Sequence, residues 1–180
     1  MKHVLAIGAA LVLAAGVANA EEECLEVGSP VGAFYVADVT GPSAGTKLCY
    51  RCKFKDRPVV SIFAREVNDQ VAGLVKQVDG VVGQNQDQKM AAFVVLLTDE
   101  PESAEGQLKT VAEKHGIQNT PLTTFDGVAG PASYKLPKDA DVTVMMWVDG
   151  QLKVNESLKF GELSDSKVSA VLGDTEKILN

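Results

Sequence analysis

Residues Ala91–Thr98 read AAFVVLLT, seven apolar residues in a row before the first polar one. A strand with one face in water alternates apolar and polar residues, because successive side chains point to opposite faces. A run that is apolar throughout belongs to a strand covered on both faces. Pro58–Phe63, PVVSIF, is a shorter run of the same kind. Between the two, Val67, Val71, Leu74, Val75, Val78 and Val82 recur at helical spacing, with Asn68 or Asp69 placed to cap. Buried strand, helix, buried strand calls for a parallel pair inside a layered α/β domain.

The remaining segments extend that order. Ala33–Val39 (AFYVADV) reads as a strand, Gly41–Gly45 (GPSAG) as a turn, and Lys47–Phe54 as a returning strand or an irregular loop, together a hairpin. Gly83–Lys89 is a polar turn. Asp99–Glu102 opens a second helix, with a cap candidate in Asp99, an early proline and acids in the first turn. Ala104, Leu108, Val111 and Ala112 give it a buried face, and His115-Gly116 closes it. Leu122–Phe125 is a third core strand and Val142–Val148 (VTVMMWV) a fourth. Asp149-Gly150 makes a tight turn, and Leu152–Leu158 returns as a fifth. Ser164 caps a last helix through Val168, Val171 and Leu172. The sum is a mixed central sheet flanked by helices, with an N-terminal β-hairpin extension.

The first twenty residues belong to a different category. Lys2 and His3 precede an apolar core from Val4 to Val17, and Ala18-Asn19-Ala20 has the small-x-small pattern of a cleavage site. Residues 1–20 are expected to be a secretory signal peptide and residues 21–180 a single domain. Export to the periplasm or the cell exterior follows, with no stable membrane insertion after cleavage. The formal charge of −7 argues against nucleic acid and anionic lipid as partners. Outside the cytoplasm disulfides form and persist.

That destination gives weight to Leu48–Arg57, LCYRCKFKDR. Cys49 and Cys52 stand three apart, and a bond between them requires a bent segment, since on a regular strand they would point to opposite faces. Lys47, Arg51, Lys53, Lys55 and Arg57 oppose only Asp56 in this stretch. Cations at this density stabilise a thiolate, but lysines and arginines also blunt an exposed sheet edge. Cys24 leaves an odd cysteine count. His115 is the only histidine beyond the signal. At a helix C-terminus it suits a cap better than a base. Trp147, Met145 and Met146 fall in a core strand and read as packing. No glycine loop of the phosphate-cradling kind is present, a serine triad has too few histidines, and no bound cofactor is implied.

The order of elements and its hydrophobic pattern resemble the thioredoxin-like superfamily, closest to its peroxiredoxin and exported thiol-oxidoreductase branches. VGSPVGAFYVADVTGPSAGTKL resembles the N-terminal hairpin of those branches and RPVVSIF their first core strand. AEKHGIQNTPLTTFDG with YKL resembles the second helix, third strand and following turn, and VTVMMWVDGQLKVNESL the final hairpin. The resemblance covers Val27–Leu172. It implies a reactive cysteine just after the first core strand, where a helix N-terminus lowers the thiol pKa. Here that stretch is Ala64–Asn68, AREVN, without cysteine. It also implies a cis-proline facing the dithiol. The peroxiredoxin-like alignment places that position at Ala140–Thr143, where no proline stands, and a simpler thioredoxin alignment places it at Pro121.

Three readings of the cysteines follow. Cys49 and Cys52 are a displaced redox pair, exchanging with an exported protein or a thiol substrate. Alternatively, they are a structural disulfide on a non-catalytic thioredoxin-like binding or scaffold module. In the third reading, Cys24, Cys49 and Cys52 bind a metal with His115 as fourth ligand, although no second C-x-x-C exists to complete a zinc site. The sequence fixes no oligomeric state.

Overall fold

The computed structural model describes residues 24–179, so the expected signal peptide lies outside the described residues. The elements run β1 (Val36–Asp38), β2 (Lys47–Leu48), α1 (Tyr50–Phe54), β3 (Val59–Ala64), α2 (Asp69–Gln84), β4 (Ala91–Thr98) and α3 (Pro101–His115). They continue with β5 (Leu122–Asp126), a 3-10 turn at Ala132–Tyr134, β6 (Val142–Val148), β7 (Gln151–Leu158), α4 (Asp165–Gly173) and α5 (Glu176–Leu179). One sheet holds all seven strands in the order β2-β1-β5-β4-β3-β6-β7. β3, β4 and β5 are parallel, and β6 runs antiparallel to β3. The expected α/β architecture with its N-terminal hairpin is therefore present.

The two apolar runs sit where their composition requires. β4 is flanked by β3 and β5, and every residue from Ala91 to Leu97 is buried. Period-two alternation sorts its side chains onto two different cores. Ala92, Val94 and Leu96 join an aliphatic core with Val60, Ile62, Val71, Leu74, Val78 and Leu108. Phe93 and Val95 join an aromatic core with Phe34, Tyr50, Phe54, Phe63, Tyr134 and Trp147. The aliphatic face is covered by α2, α3, α4 and α5, whose apolar stripes all belong to that core. Among the described residues the aromatic face receives α1, the N-terminal segment and the 3-10 turn with Leu136 beyond it. The helical cover is thus lopsided, and large rings fill what a long helix would otherwise fill.

Several boundaries differ from expectation. Lys47–Phe54 is neither strand nor loop throughout: two residues pair with β1, then five form α1. Asp99 does not cap α3. The Thr98 hydroxyl accepts from the Glu100 amide, and Asp99 accepts from the Val128 amide instead. Asn68 does cap α2, accepting from the Val71 amide at 3.1 Å, and Ser164 caps α4. The Asp149-Gly150 turn has both residues at positive φ, 54° and 70°, the conformation of a two-residue hairpin. No peptide bond among the described residues is cis, Pro121 included.

The hairpin loop is tied down by one carboxylate. Asp38, 2% exposed, accepts from the Gly41 amide at 2.7 Å, the Ser43 amide at 2.8 Å and the Tyr50 hydroxyl at 2.8 Å. A Cβ at Gly41 would fall 2.5 Å from the Tyr50 hydroxyl, so only glycine allows this closure. Burial, then the Asp38 carboxylate, pushes the Tyr50 phenol well above its ordinary pKa of 10.0. Burial does the same to Tyr134, whose hydroxyl donates to the Gly32 carbonyl.

The sign of the consequence is fixed. Above the ordinary value the unfolded chain releases these protons and the folded chain keeps them, so stability falls as pH rises. Each phenol adds a slope of about 1.4 kcal/mol per pH unit. Urea melts between pH 9 and pH 11 should show stability flat at first and then falling from about pH 10 upward. A Tyr50→Phe, Tyr134→Phe double variant should lose most of that slope, and an unchanged slope would refute the assignment.

Candidate functional site

α1 exists because of what flanks it. Five residues are too few to hold a helix alone. Tyr50 and Phe54 anchor it on the aromatic core, with Tyr50 stacked on Phe93 at 5.2 Å and 22°. The Arg51 guanidinium ties it to the N-terminal segment by donating to the Val31 carbonyl at 3.0 Å. Cys49 is the N-cap, and its sulfur accepts from the Cys52 amide at 3.0 Å. The two cysteines form a disulfide, with Cα atoms 5.2 Å apart. The bend that a bonded C-x-x-C requires is this first helical turn.

The pair is asymmetric. Cys49 is 7% exposed, whereas Cys52 is exposed on the outer side of α1. Cys52 is thus the more accessible of the two. The Cys52 amide at the Cys49 sulfur favours a negative charge there once the bond opens. The surrounding cations contribute less than their number suggests. Arg51 and Arg57 are committed to backbone carbonyls, Arg57 to those of Lys89 and Met90. Lys53 lies over the Tyr50 ring, 5.4 Å from its centroid, and donates to the Ser43 hydroxyl.

The stretch where the resemblance implied a reactive cysteine has a different occupant. Arg65 follows β3 directly, and its guanidinium donates to the carbonyls of Ala140, Val128 and Pro137. Its amide bonds the Asp141 carbonyl. Ala140-Asp141 thus faces the end of β3, as the peroxiredoxin-like alignment expects. Pro121 instead precedes β5, with β4 between it and β3. The disulfide lies just before β3 and Arg65 just after it. The two are separated by a six-residue strand, roughly 20 Å at ~3.3 Å per residue.

Arg65→Ala should cost about 2 kcal/mol, because three carbonyls lose a charged donor. It should leave thiol chemistry at Cys49 and Cys52 unchanged. Urea unfolding and the rate of disulfide reduction by dithiothreitol measure the two effects separately. A reduction rate that moves with Arg65 would place the two sites in contact.

The structure does not gather the metal set. Among the described residues no group of three or more His, Cys, Asp or Glu side chains is arranged to hold an ion. Cys24 is exposed and unbonded. His115 ends α3, its Nε2 3.5 Å from the Asp69 carboxylate at the start of α2. That Asp69 carboxylate is held below its ordinary value by Lys114, 2.7 Å away.

Sheet order, the antiparallel β6–β7 hairpin and the helical crossovers define a thioredoxin-like fold. Solved structures agree. A protein from Chlorobium tepidum described as a thiol:disulfide interchange protein DsbE superposes with a TM-score of 0.67 at 11% identity, covering 87% of this chain and 99% of that one. The thioredoxin domain of a thiol-disulfide oxidoreductase from Bacteroides vulgatus gives 0.61 at 15% identity, covering 87% and 99%. The mitochondrial 2-Cys peroxiredoxin of Plasmodium falciparum gives 0.62 at 12% identity, covering 86% and 94%. No protein-family model matches the sequence, and no curated protein does.

Proposed function

We propose that this chain exchanges thiols and disulfides through Cys49 and Cys52, outside the cytoplasm, with an exported protein or a small thiol as partner. The observation that carries the reading is the bonded pair on the first turn of α1, Cys52 exposed and Cys49 buried with its sulfur accepting from a backbone N–H. A substrate thiolate attacks the Cys52 sulfur, the Cys49–Cys52 bond breaks, and Cys49 leaves as thiolate. A second substrate thiolate then attacks the substrate sulfur of the mixed disulfide, the substrate disulfide forms and Cys52 leaves as thiolate. The substrate is oxidised by two electrons and the pair reduced by two. The reverse sequence reduces a substrate disulfide.

A second reading has its own support. Arg65 fills the place where the resemblance implied a reactive thiol, as it would in a binding module whose only disulfide is structural.

One measurement separates them: the midpoint of the Cys49–Cys52 couple, titrated with glutathione and dithiothreitol, trapped by alkylation and read by mass. A midpoint in the range of about −120 to −230 mV places the pair with exchange-active dithiols. A midpoint below about −300 mV marks a structural staple and overturns the redox reading.

A further inference from the structure

At the N-terminal ends of the parallel strands lies a cleft of about 710 Å³ that neither cysteine lines. Small-molecule sites typically enclose ~300–1,000 Å³. The inner side of α1 and the link to β3 make one wall, with Lys53 and Arg57 on it. Pro42, Ile117 and Pro121 add apolar surface, and Gln86, Asn119 and Thr120 add polar groups.

The charge of this lining is inverted relative to the protein. Acids outnumber bases 24 to 17 in the sequence, yet among the described residues no carboxylate lines the cleft. Two carboxylates, Asp38 and Asp79, are engaged with residues of the walls. Asp38 accepts from the Gly41 amide and the Tyr50 hydroxyl, and Asp79 accepts from the amides of Gln118 and Asn119. Arg57 is held in place by the Lys89 and Met90 carbonyls and by the Phe54 ring 5.0 Å away. Thr120 is 2% exposed, and its hydroxyl has no hydrogen-bond partner among the described residues, an uncommon state for a buried polar group.

We propose that this cleft binds a small organic anion: a carboxylate or sulfonate head with an apolar body. The head is met by Lys53 and by the Arg57 Nη1, the other two guanidinium nitrogens holding the Lys89 and Met90 carbonyls, the body by Pro42, Ile117 and Pro121, and the Thr120 hydroxyl supplies a polar contact at the wall. The proposal does not depend on thiol exchange, since Cys52 lies on the other side of α1.

The probe is 1-anilinonaphthalene-8-sulfonate, titrated into the isotope-labelled protein and followed by amide chemical shifts. Saturable shifts are expected at Thr120, Asn119 and Gln86. Lys53→Glu should weaken binding about tenfold or more, because a cation becomes an anion at the head group. Lys47→Glu, the same charge change outside the cleft, should leave affinity nearly unchanged. The uncharged analogue N-phenyl-1-naphthylamine tests the head group on the unaltered protein and should bind more weakly. The proposal is overturned if no saturable shift occurs at those residues, if both lysine variants weaken binding alike, or if the uncharged analogue binds equally well.

Discussion

Replacing Cys52 by serine should abolish exchange, whereas replacing Cys49 should stop it halfway. Both variants belong in a Cys24→Ser background, because Cys24 is exposed and would add a third thiol. In Cys52→Ser the remaining thiol is the buried one, and turnover of a glutathione mixed-disulfide substrate should fall on the order of a thousandfold, the scale on which loss of a nucleophile acts. In Cys49→Ser the exposed Cys52 still attacks, but no second cysteine resolves the product, so in the absence of added thiol a Cys52–glutathione adduct should accumulate and be visible by mass. This asymmetry follows from burial, with Cys49 7% exposed and Cys52 outside. It runs opposite to chain order, since the second cysteine of the motif is the attacking one. An adduct that forms on Cys49 and not on Cys52 would reverse the assignment. Full turnover in the Cys49→Ser, Cys52→Ser double variant would remove the pair from the chemistry altogether.

The parts of this fold legible in the sequence are those in which local pattern and tertiary environment agree. AAFVVLLT is apolar because β4 is covered on both faces, and five of the six spaced apolar residues, Val71 to Val82, are the buried stripe of α2, while Val67 is buried just before its cap. Asp149-Gly150 announces a turn that needs positive φ, and it has one. The short helix α1 carries no such signal. Five residues show no period, and its existence rests on contacts with Phe93, some forty positions later in the chain. Arg65 was equally opaque. Its three acceptors come from positions 128, 137 and 140, and backbone carbonyls leave no mark in a sequence. Pairing of Cys49 with Cys52 was readable as one option, but their unequal exposure was not, because it depends on which side of α1 meets the aromatic core. The five cations around the motif suggested an electropositive thiol site; three of them turn out to hold carbonyls, a hydroxyl and rings.

Phe93→Ala should be among the most destabilising single changes in the chain, and its damage should reach α1 selectively. Phe93 is fully buried in β4 and lies within 6.2 Å, ring to ring, of Phe34, Tyr50, Phe54 and Trp147. It is therefore the ring on which the two aromatic anchors of α1 rest. Truncating a buried phenylalanine to alanine costs about 3–5 kcal/mol through lost transfer energy and the cavity left behind. For a domain of this size that lowers the melting temperature by roughly 6–20 °C. Phe93→Leu keeps most of the volume and loses mainly the ring contacts, so it should cost about 1.5 kcal/mol or less. Val94→Ala provides the comparison, because its side chain points into the aliphatic core on the other face. Amide hydrogen exchange should then separate the two. In Phe93→Ala, protection should fall first at Tyr50–Phe54, and dithiothreitol should reduce Cys49–Cys52 faster, because the buried sulfur loses its cover when α1 loosens. In Val94→Ala, protection should fall across α2 while the disulfide keeps its reduction rate. If Phe93→Ala costs less than about 1 kcal/mol, or leaves α1 as protected as before, then the aromatic face is not what holds the helix, and the burial of Cys49 needs another cause.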